Sequence, residues 1–433
     1  MCRVKITDKN NMKNVLMLTY MFYPCNHIAS LRAAKMAKYL PEYGWNPIIV
    51  CPKWTKDNSK YFDAEMVAEF DRSNVAKAID YKNNLGHSRF RKLLAKCISN
   101  PDPRILVVRI LRRFTLLLEK HPPEFYYGAI AFLRKYLRTN RIDSVWATEP
   151  VCYTLADWIH ENFGIPWVAD FRDIYDQKGL PEHSRGQSYL KKVEPRMISS
   201  ASAVVTVSEH LRRILQTRHK KPVYMITNGF DPSDYDGEVQ RNQNILDIVY
   251  TGKVIFPLSD PSPLFQALQT LISTHKIESS KISVSFYGTE SEHILDQLIK
   301  NNPALSNVVH IFPRVPFRES IKIQKQACIL LHLAHGGQKG IMTGKVFEYL
   351  GARRPILCIP GDNDCVDALL KETQAGVICR NAEEVAAQLL RWYHEWQQAG
   401  TVSYYARDEQ IMKYSRERQA GQLAELLDSI CRH

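Results

Sequence analysis

The sequence predicts an α/β protein made of two tandem Rossmann-like, doubly wound domains that face a central cleft. Short runs rich in Val and Ile alternate with longer helical patterns along the 433 residues, which is typical of parallel sheets. The alternation breaks at the turn-rich stretch NGFDPSDYDGEVQRNQN (228–244) and then restarts. A chain of this length also exceeds what one hydrophobic core usually serves. We therefore expect two domains, with ligands bound near the carboxyl ends of the strands.

Each half of the chain contains six predicted strands. In the first half they are VLMLTY (15–20), PIIVC (47–51), SVWAT (144–148), PWVADF (166–171), AVVTV (203–207) and VYMIT (223–227). In the second half they are DIVYTG (247–252), ISVSFYG (282–288), VVHIF (308–312), CILLHLA (328–334), PILCIP (355–360) and GVIC (376–379). Helical patterns fall between these runs, and the first of them, residues 31–44, is expected to close at Gly44.

Apolar patterning and cysteine usage indicate the compartment. The most apolar tract, residues 105–118, is interrupted by Arg109, Arg112 and Arg113, so it is not expected to span a bilayer. The N-terminal stretch MCRVKITDKNNMKN lacks the apolar core of a signal peptide, which predicts a cytoplasmic protein. The ten cysteines include no C-x-x-C pair and are expected to be reduced core thiols.

The net charge of +13 is concentrated in one segment, residues 87–141, with thirteen Lys or Arg and three Asp or Glu. Around Arg109–Leu118 the basic residues are interleaved with Leu, Ile, Val and Phe, as in helices that lie on an anionic membrane. A core helix with a solvated basic face explains the pattern equally well, and both interpretations stay open. Nucleic acid is disfavoured as a partner because the segment matches no nucleic-acid-binding signature.

The stretch GIMTGKVFEYLGARRPIL (340–357) predicts a site for a nucleotide diphosphate. If a helix begins near Thr343 and Gly344, its first amides are unpaired and its positive dipole end suits phosphate groups. Lys345 would add a full charge in the first turn. Glu348 lies one turn further, where its carboxylate can accept hydrogen bonds from two ribose hydroxyls. A sugar nucleotide therefore fits this stretch better than ATP.

Other activities are excluded or disfavoured by motif. A P-loop needs four residues between its glycines and a hydroxyl after its lysine, whereas only three residues separate Gly340 from Gly344 and a valine follows the lysine. No G-x-G-x-x-G follows a strand, and no G-x-S-x-G occurs, which disfavours a dehydrogenase and a hydrolase. His332 and His335 do not form a zinc pair. The DND at 362–364 is interpreted as a loop and not as a metal site.

Several stretches, taken in order, resemble family 4 glycosyltransferases. TGKVFEYLGARRPIL (343–357) resembles the donor-binding helix of that family, and VADFRD (168–173) resembles a subgroup acting on bacterial surface polysaccharides. The other matching stretches are LTYMFYP (18–24), ASLRAAKMAKYLPEYGWNPIIV (29–50), VVTVSEHLRRIL (204–215), ITNGFDPSDY (226–235) and YTGKV (250–254). Together these stretches reach across nearly the whole chain.

The resemblance implies the GT-B arrangement and its chemistry. It implies an acceptor-binding domain over residues 1–235, a nucleotide-sugar-binding domain over residues 236–405, and a C-terminal helix within 406–433 that could pack across both. A UDP-, GDP- or dTDP-sugar would donate to a glycan or lipid-linked glycan, with retention of configuration and without a metal or other cofactor. The product would be a surface polysaccharide or lipopolysaccharide. The basic segment would hold the enzyme at the inner face of the plasma membrane, beside such an acceptor.

The resemblance also implies the site residues. The donor-binding residues would be Gly252, Lys253, Gly288, Arg314, Thr343, Gly344, Lys345 and Glu348. The predicted catalytic group, which could orient the acceptor hydroxyl or accept its proton, is Asp170, Arg172 and Asp173. The acceptor-side residues would be His27, Ser30, Arg32 and Glu149. Positive charge aimed at the leaving diphosphate would take the place of magnesium.

The sequence departs from the family pattern near this site: CNHIAS (25–30) replaces the glycine pair expected after the first strand, and three single positions also differ. The first of two expected glutamates falls on Gly340, so Glu348 would serve alone. Leu258 stands where a second basic residue is expected, and Thr148 stands where many relatives have a histidine. Two rival functions therefore stay open: a sugar-nucleotide epimerase of the same fold, and a non-catalytic glycan- or membrane-binding protein.

Overall fold

The computed structural model describes residues 12–57, 59, 61–72, 74–79, 123–174, 194–241 and 243–431. The chain divides into two compact units. The first comprises Met1–Val207, Leu211–Ile226 and Ala420–His433, and the second comprises Ser208–His210 and Thr227–Gln419. The basic segment predicted to contact a membrane covers residues 87–141. Residues 87–122 of this segment lie outside the described residues.

The first unit contains a seven-stranded parallel sheet. Its strands are β1 (Lys13–Leu18), β2 (Trp45–Pro52), β3 (Val75–Ile79), β4 (Ser144–Thr148), β5 (Trp167–Phe171), β6 (Ala203–Thr206) and β7 (Val223–Met225). They pair in the order β3-β2-β1-β4-β5-β6-β7. All six strands predicted for this half are present, and β3 was missed.

The second unit contains a six-stranded parallel sheet. Its strands are β8 (Leu246–Thr251), β9 (Ile282–Tyr287), β10 (Val309–Phe312), β11 (Ile329–Leu333), β12 (Ile356–Ile359) and β13 (Gly376–Ile378). Their order, β10-β9-β8-β11-β12-β13, repeats that of the first sheet. In each sheet the order reverses beside the first strand, which is the doubly wound topology. The prediction of two Rossmann-like domains is therefore confirmed.

Helices connect the strands. Those of the N-terminal half are α1 (Ile28–Tyr39), α2 (Val67–Asp71), α3 (Pro123–Thr139), α4 (Pro150–Phe163) and α5 (Glu209–His219). Those of the C-terminal half are α6 (Ser262–Ser273), α7 (Glu292–Lys300), α8 (Phe317–Gln326), α9 (Gly344–Ala352), α10 (Cys365–Thr373), α11 (Ala382–Ala399), α12 (Asp408–Met412) and α13 (Arg416–Ile430). None of the helices in the described parts of the chain is long and apolar enough to cross a membrane.

Strand burial explains why the apolar runs were predictive. β4, β5 and β11 are buried at every residue, as expected for strands covered by helices on both faces. The helix predicted to close at Gly44 does so through a 3₁₀ turn, Leu40–Tyr43, with Gly44 in the left-handed region at φ 82°. Four of the residues considered below, Glu149, Arg172, Gly252 and Gly288, directly follow the carboxyl end of a strand, where doubly wound domains bind ligands.

Candidate functional site

The start of α9 has the geometry expected of an anion site. Thr343 precedes the helix in an extended conformation, with φ −68° and ψ 149°, and Gly344 is the first helical residue. Thr343 provides no side-chain cap, and its buried Oγ1 has no hydrogen-bond partner among the described residues. Thr343 stands at the position that ordinarily caps a helix but does not cap this one. The first amides of α9 therefore suit an anionic ligand.

Lys345 extends from the first turn of α9 toward the end of β8. Its Nζ donates a hydrogen bond to the carbonyl oxygen of Lys253 at 3.1 Å and lies 5.2 Å from the ring centroid of Tyr250. Burial lowers the pKa of Lys345 to about 8; Glu348 opposes this effect, and the charge of Lys253 reinforces it. A bound anion would compensate the buried charge, so this lysine is suited to a phosphate group.

Two predicted glycines make room for basic residues. Gly252 has a φ of +98°, and a Cβ placed there would lie 2.8 Å from Cε of Lys345. Gly288 has a φ of +69°, and its Cβ would lie 3.3 Å from both Cα and Cβ of Arg314. Both positions therefore need glycine for the backbone conformation and for the close approach of a neighbour.

Glu348 is held by a residue that the sequence did not point to. The amide nitrogen Nε2 of Gln324 donates to Oε2 of Glu348 at 3.0 Å and also lies 3.0 Å from Oγ1 of Thr251. Burial raises the pKa of Glu348, and the bond from Gln324 and the charge of Lys345 oppose that rise. Gln324 stands 24 residues before Glu348 on a different helix, so no local motif could identify it.

The other two predicted donor-side cations are more accessible. Lys253 forms an ion pair with Glu290 at 2.8 Å, and the two side chains are 40% and 42% exposed. An ion pair this exposed contributes little to stability, so Lys253 can exchange it for a ligand phosphate at small cost. Arg314 is exposed and follows β10.

In the first unit, the predicted residues Asp170 and Arg32 form a buried ion pair. Nε and Nη2 of Arg32 donate to the two carboxylate oxygens of Asp170 at 2.8 and 3.2 Å, and the side chains are 1% and 0% exposed. Arg32 Nη2 also donates to the carbonyl oxygen of Ile226 at 3.0 Å. The catalytic role of Asp170 stays a prediction, and this geometry favours a structural role because both carboxylate oxygens are engaged.

Glu149 and Arg172 form a second ion pair, which is partly open to solvent. Nη2 of Arg172 donates to Oε1 of Glu149, and the side chains are 19% and 11% exposed. Oε2 of Glu149 accepts hydrogen bonds from the backbone amide of Tyr20 at 3.1 Å and from the Thr148 hydroxyl. Burial alone would lower the pKa of Arg172, but the charges of Glu149, Asp173 and Asp170 outweigh it and raise the pKa.

The backbone of Glu149 is strained. This residue links β4 to α4 with φ 63° and ψ 152°, a conformation that a residue with a side chain rarely adopts. Such strain persists only where the surroundings enforce it, and it is concentrated at functional sites. Glu149 and Arg172 are therefore the strongest candidates in this unit for a role in chemistry, and Asp173 beside them is exposed.

The remaining predicted acceptor-side residues lie at the start of α1. His27 caps this helix, with its Nδ1 accepting a hydrogen bond from the amide of Ala29 at 3.2 Å. Ser30 is fully buried, and its Oγ has no partner among the residues described. His27 thus has a structural explanation, whereas the hydroxyl of Ser30 does not.

The DND sequence at 362–364 lies in the loop between β12 and α10. Asp362, Asp364 and Cys365 are close enough to one another to share a cation. However, Oδ1 of Asp362 accepts hydrogen bonds from the amides of Asp364 and Asp367 at 2.9 and 3.0 Å, and Oδ2 accepts one from Val366 at 3.0 Å. Because both oxygens bond the first turn of α10, this carboxylate serves to hold the loop.

Comparison with known proteins identifies a related family. Residues 29–234 match the protein family described as Glycosyltransferase Family 4. Together with the two Rossmann-like sheets, this match defines a glycosyltransferase of the GT-B type. The match confirms the family resemblance predicted from the sequence. No curated protein sequence matches it significantly.

Solved structures show the same fold over nearly the whole chain. The Anabaena protein HepE in complex with UDP is 14% identical with a TM-score of 0.62, over 96% of this chain and 100% of its own. Sucrose-phosphate synthase from Thermosynechococcus elongatus is 11% identical with a TM-score of 0.64, over 96% and 98%. A glycosyltransferase from Rickettsia africae is 15% identical with a TM-score of 0.60, over 98% and 100%.

Proposed function

We propose that this protein is a retaining glycosyltransferase that moves a sugar from a nucleoside-diphosphate donor to a glycan or lipid-linked glycan. Its product would be a surface polysaccharide or lipopolysaccharide. The observation that carries the proposal is the pairing of a half-buried lysine, Lys345, with a carboxylate one turn away, Glu348, on a helix whose first residue is Gly344. HepE was solved with UDP and with UDP-glucose, so UDP is the first base to test.

The second unit would bind the donor. The diphosphate would lie against the amides of Gly344 and Lys345 and against the Lys345 ammonium, while Glu348 would accept hydrogen bonds from the ribose. Lys253 and Arg314 would add positive charge around the leaving diphosphate. Preorganised charge of this kind stabilises a leaving group more effectively than mobile water does, so no metal is required.

The first unit would bind the acceptor. Arg172 stays charged beside Glu149 and could orient an acceptor hydroxyl by donating a hydrogen bond to it, while the Glu149 carboxylate could stabilise the positive charge that develops on that hydroxyl as it attacks. Asp173 is exposed and could receive the proton. We expect Arg172→Met to abolish transfer while leaving nucleotide binding unchanged, because the donor groups named above belong to the second unit.

The exposed face of α3 supports the membrane part of the proposal. Tyr127 is 53% exposed, and Arg134, Lys135 and Arg138 are exposed further along the same helix. An exposed aromatic ring near several cations suits the headgroup region of an anionic membrane at the inner face of the plasma membrane. Co-sedimentation with anionic vesicles at low salt tests this part, and absence of binding would contradict it.

Thermal stabilisation by UDP, GDP, dTDP and CMP tests the donor site. A ligand present at about one hundred times its dissociation constant adds about 2.7 kcal/mol of stability, which raises the melting temperature by a few degrees. One nucleoside diphosphate should give this rise, and Glu348→Gln should reduce it. Glu383→Gln, at an exposed position of α11, is the matched control and should leave it unchanged.

The outcomes separate the rival functions. No rise with any nucleotide would contradict the proposal and favour a non-catalytic binding protein. Turnover of the sugar nucleotide to an isomer in the absence of acceptor would instead indicate an epimerase. If transfer occurs, NMR of the product gives the anomeric configuration, and inversion would refute the retaining mechanism.

A further inference from the structure

Gln324 is a buried polar residue at the centre of a hydrogen-bond network on the donor side. Its side chain is fully buried on α8. Its Nε2 lies 3.0 Å from Oε2 of Glu348, 3.0 Å from Oγ1 of Thr251 and 3.2 Å from Oγ of Ser320. The amide group has two hydrogens, so it cannot donate to all three acceptors at once. Of the three acceptors only the Glu348 carboxylate is charged, so we expect one hydrogen bond to go to it.

The other half of the same amide argues that Gln324 is not there for stability alone. Its Oε1 is buried and has no hydrogen-bond partner among the described residues. A buried carbonyl without a partner destabilises the folded state, and an apolar side chain of similar length would avoid that cost. The hydrogen bond from Nε2 to Glu348 is therefore a better explanation for an amide at this position than stability is.

We propose that Gln324 is a positioning residue that fixes the Glu348 carboxylate for the ribose of the nucleotide donor. With Oε2 held by Gln324, Oε1 is the oxygen left for the ribose hydroxyls. The bond from Gln324 also favours the ionised carboxylate, which is the form that accepts two hydrogen bonds. This inference rests on the proposed nucleotide site.

Replacing Gln324 with methionine removes the donor and keeps the side-chain length. We expect Gln324→Met to lower the affinity for the nucleoside diphosphate about tenfold, since a hydrogen bond to a charged group is lost. The pH below which binding is lost should rise by about one unit. The matched control is Gln326→Met on the same helix, where the amide donates to the carbonyl oxygen of Gln240 at 3.2 Å near the surface. It should change neither quantity.

The titration of Glu348 gives a readout that does not depend on nucleotide binding. Carbon-13 NMR of protein labelled at the glutamate carboxyl carbons, with Glu348→Gln to assign the signal, should show Glu348 protonating at higher pH in Gln324→Met. If that variant does not fold, Gln324→Glu replaces it, since two carboxyls sharing a proton should also make Glu348 protonate at higher pH.

The outcomes of the two experiments are distinguishable. If the wild type binds none of UDP, GDP and dTDP, the proposed function fails and the ribose role of Gln324 falls with it. If the wild type binds one of them and Gln324→Met shows the same affinity and the same Glu348 titration, only the positioning role is overturned. A purely structural role would lower the melting temperature without moving the Glu348 titration.

Discussion

Replacing Lys345 with methionine should stabilise the protein without ligand and weaken its affinity for UDP. Burial lowers the pKa of Lys345 from 10.5 to about 8. Each pH unit between these values corresponds to about 1.4 kcal/mol, so the charged lysine costs the folded state on the order of 3 kcal/mol near pH 7. The variant also loses the hydrogen bond to Lys253, so we expect a net gain of about 1–3 kcal/mol.

The stability difference between the wild type and Lys345→Met should depend on pH. Between about pH 8 and pH 10.5 the unfolded chain binds a proton at Lys345 that the folded protein does not, so wild-type stability rises with pH across this window. Lys345→Met lacks that rise, and its advantage over the wild type should shrink from pH 7 to pH 10. The control Lys300→Met, at an exposed position of α7, should show no advantage at either pH.

Two measurements check this prediction. Melting temperatures at pH 7 and pH 10 compare the stability of the three proteins without ligand, and calorimetric titration with UDP at pH 7 compares their affinities. The affinity of the wild type should fall as pH rises through about 8, because the neutral amine no longer attracts phosphate. A methionine variant that is less stable than the wild type at pH 7, or that binds UDP equally well, would show that this prediction is wrong.

Two further predictions concern the surroundings of the site. Gly252→Ala should lower the free energy of unfolding by about 1–3 kcal/mol and weaken UDP binding, because the new Cβ would displace the side chain of Lys345. The control is Gly237→Ala, which is also at positive φ but has open space around its Cβ. It should leave UDP binding unchanged. Arg32→Met should lower the free energy of unfolding by about 3–5 kcal/mol, because it leaves the buried Asp170 carboxylate unpaired. Denaturant titration measures the change in the free energy of unfolding for Arg32→Met. The structural role of the ion pair between Arg32 and Asp170 is wrong if this free energy is unchanged, or if the double variant with Asp170→Leu recovers none of the loss.

The strands and the start of α9 could be predicted because their signals are local. A buried parallel strand is a short apolar run, and the start of α9 is marked in the sequence by Gly344 followed directly by Lys345. β3 was missed because its sequence, VAKAI, lies at the edge of the sheet and only Ile79 is buried. An edge strand with little burial carries no continuous apolar pattern.

Contacts between distant segments could not be predicted. The sequence indicated Arg32 and Asp170 as site residues, but they lie 138 positions apart, and nothing local shows that each neutralises the other in the core. Gln324 was missed for the same reason, since its contact with Glu348 depends on how α8 packs beside α9. The strained backbone of Glu149 has no sequence signature, because nothing in the identity of a glutamate indicates that its φ is positive.

A crystal structure of the protein with UDP is the most direct test of the proposed donor site. We expect the diphosphate to lie at the first turn of α9, with Lys345 Nζ within hydrogen-bond distance of a phosphate oxygen and the ribose hydroxyls on Glu348. UDP bound elsewhere on the protein, or at this helix with the ribose away from Glu348, would contradict it.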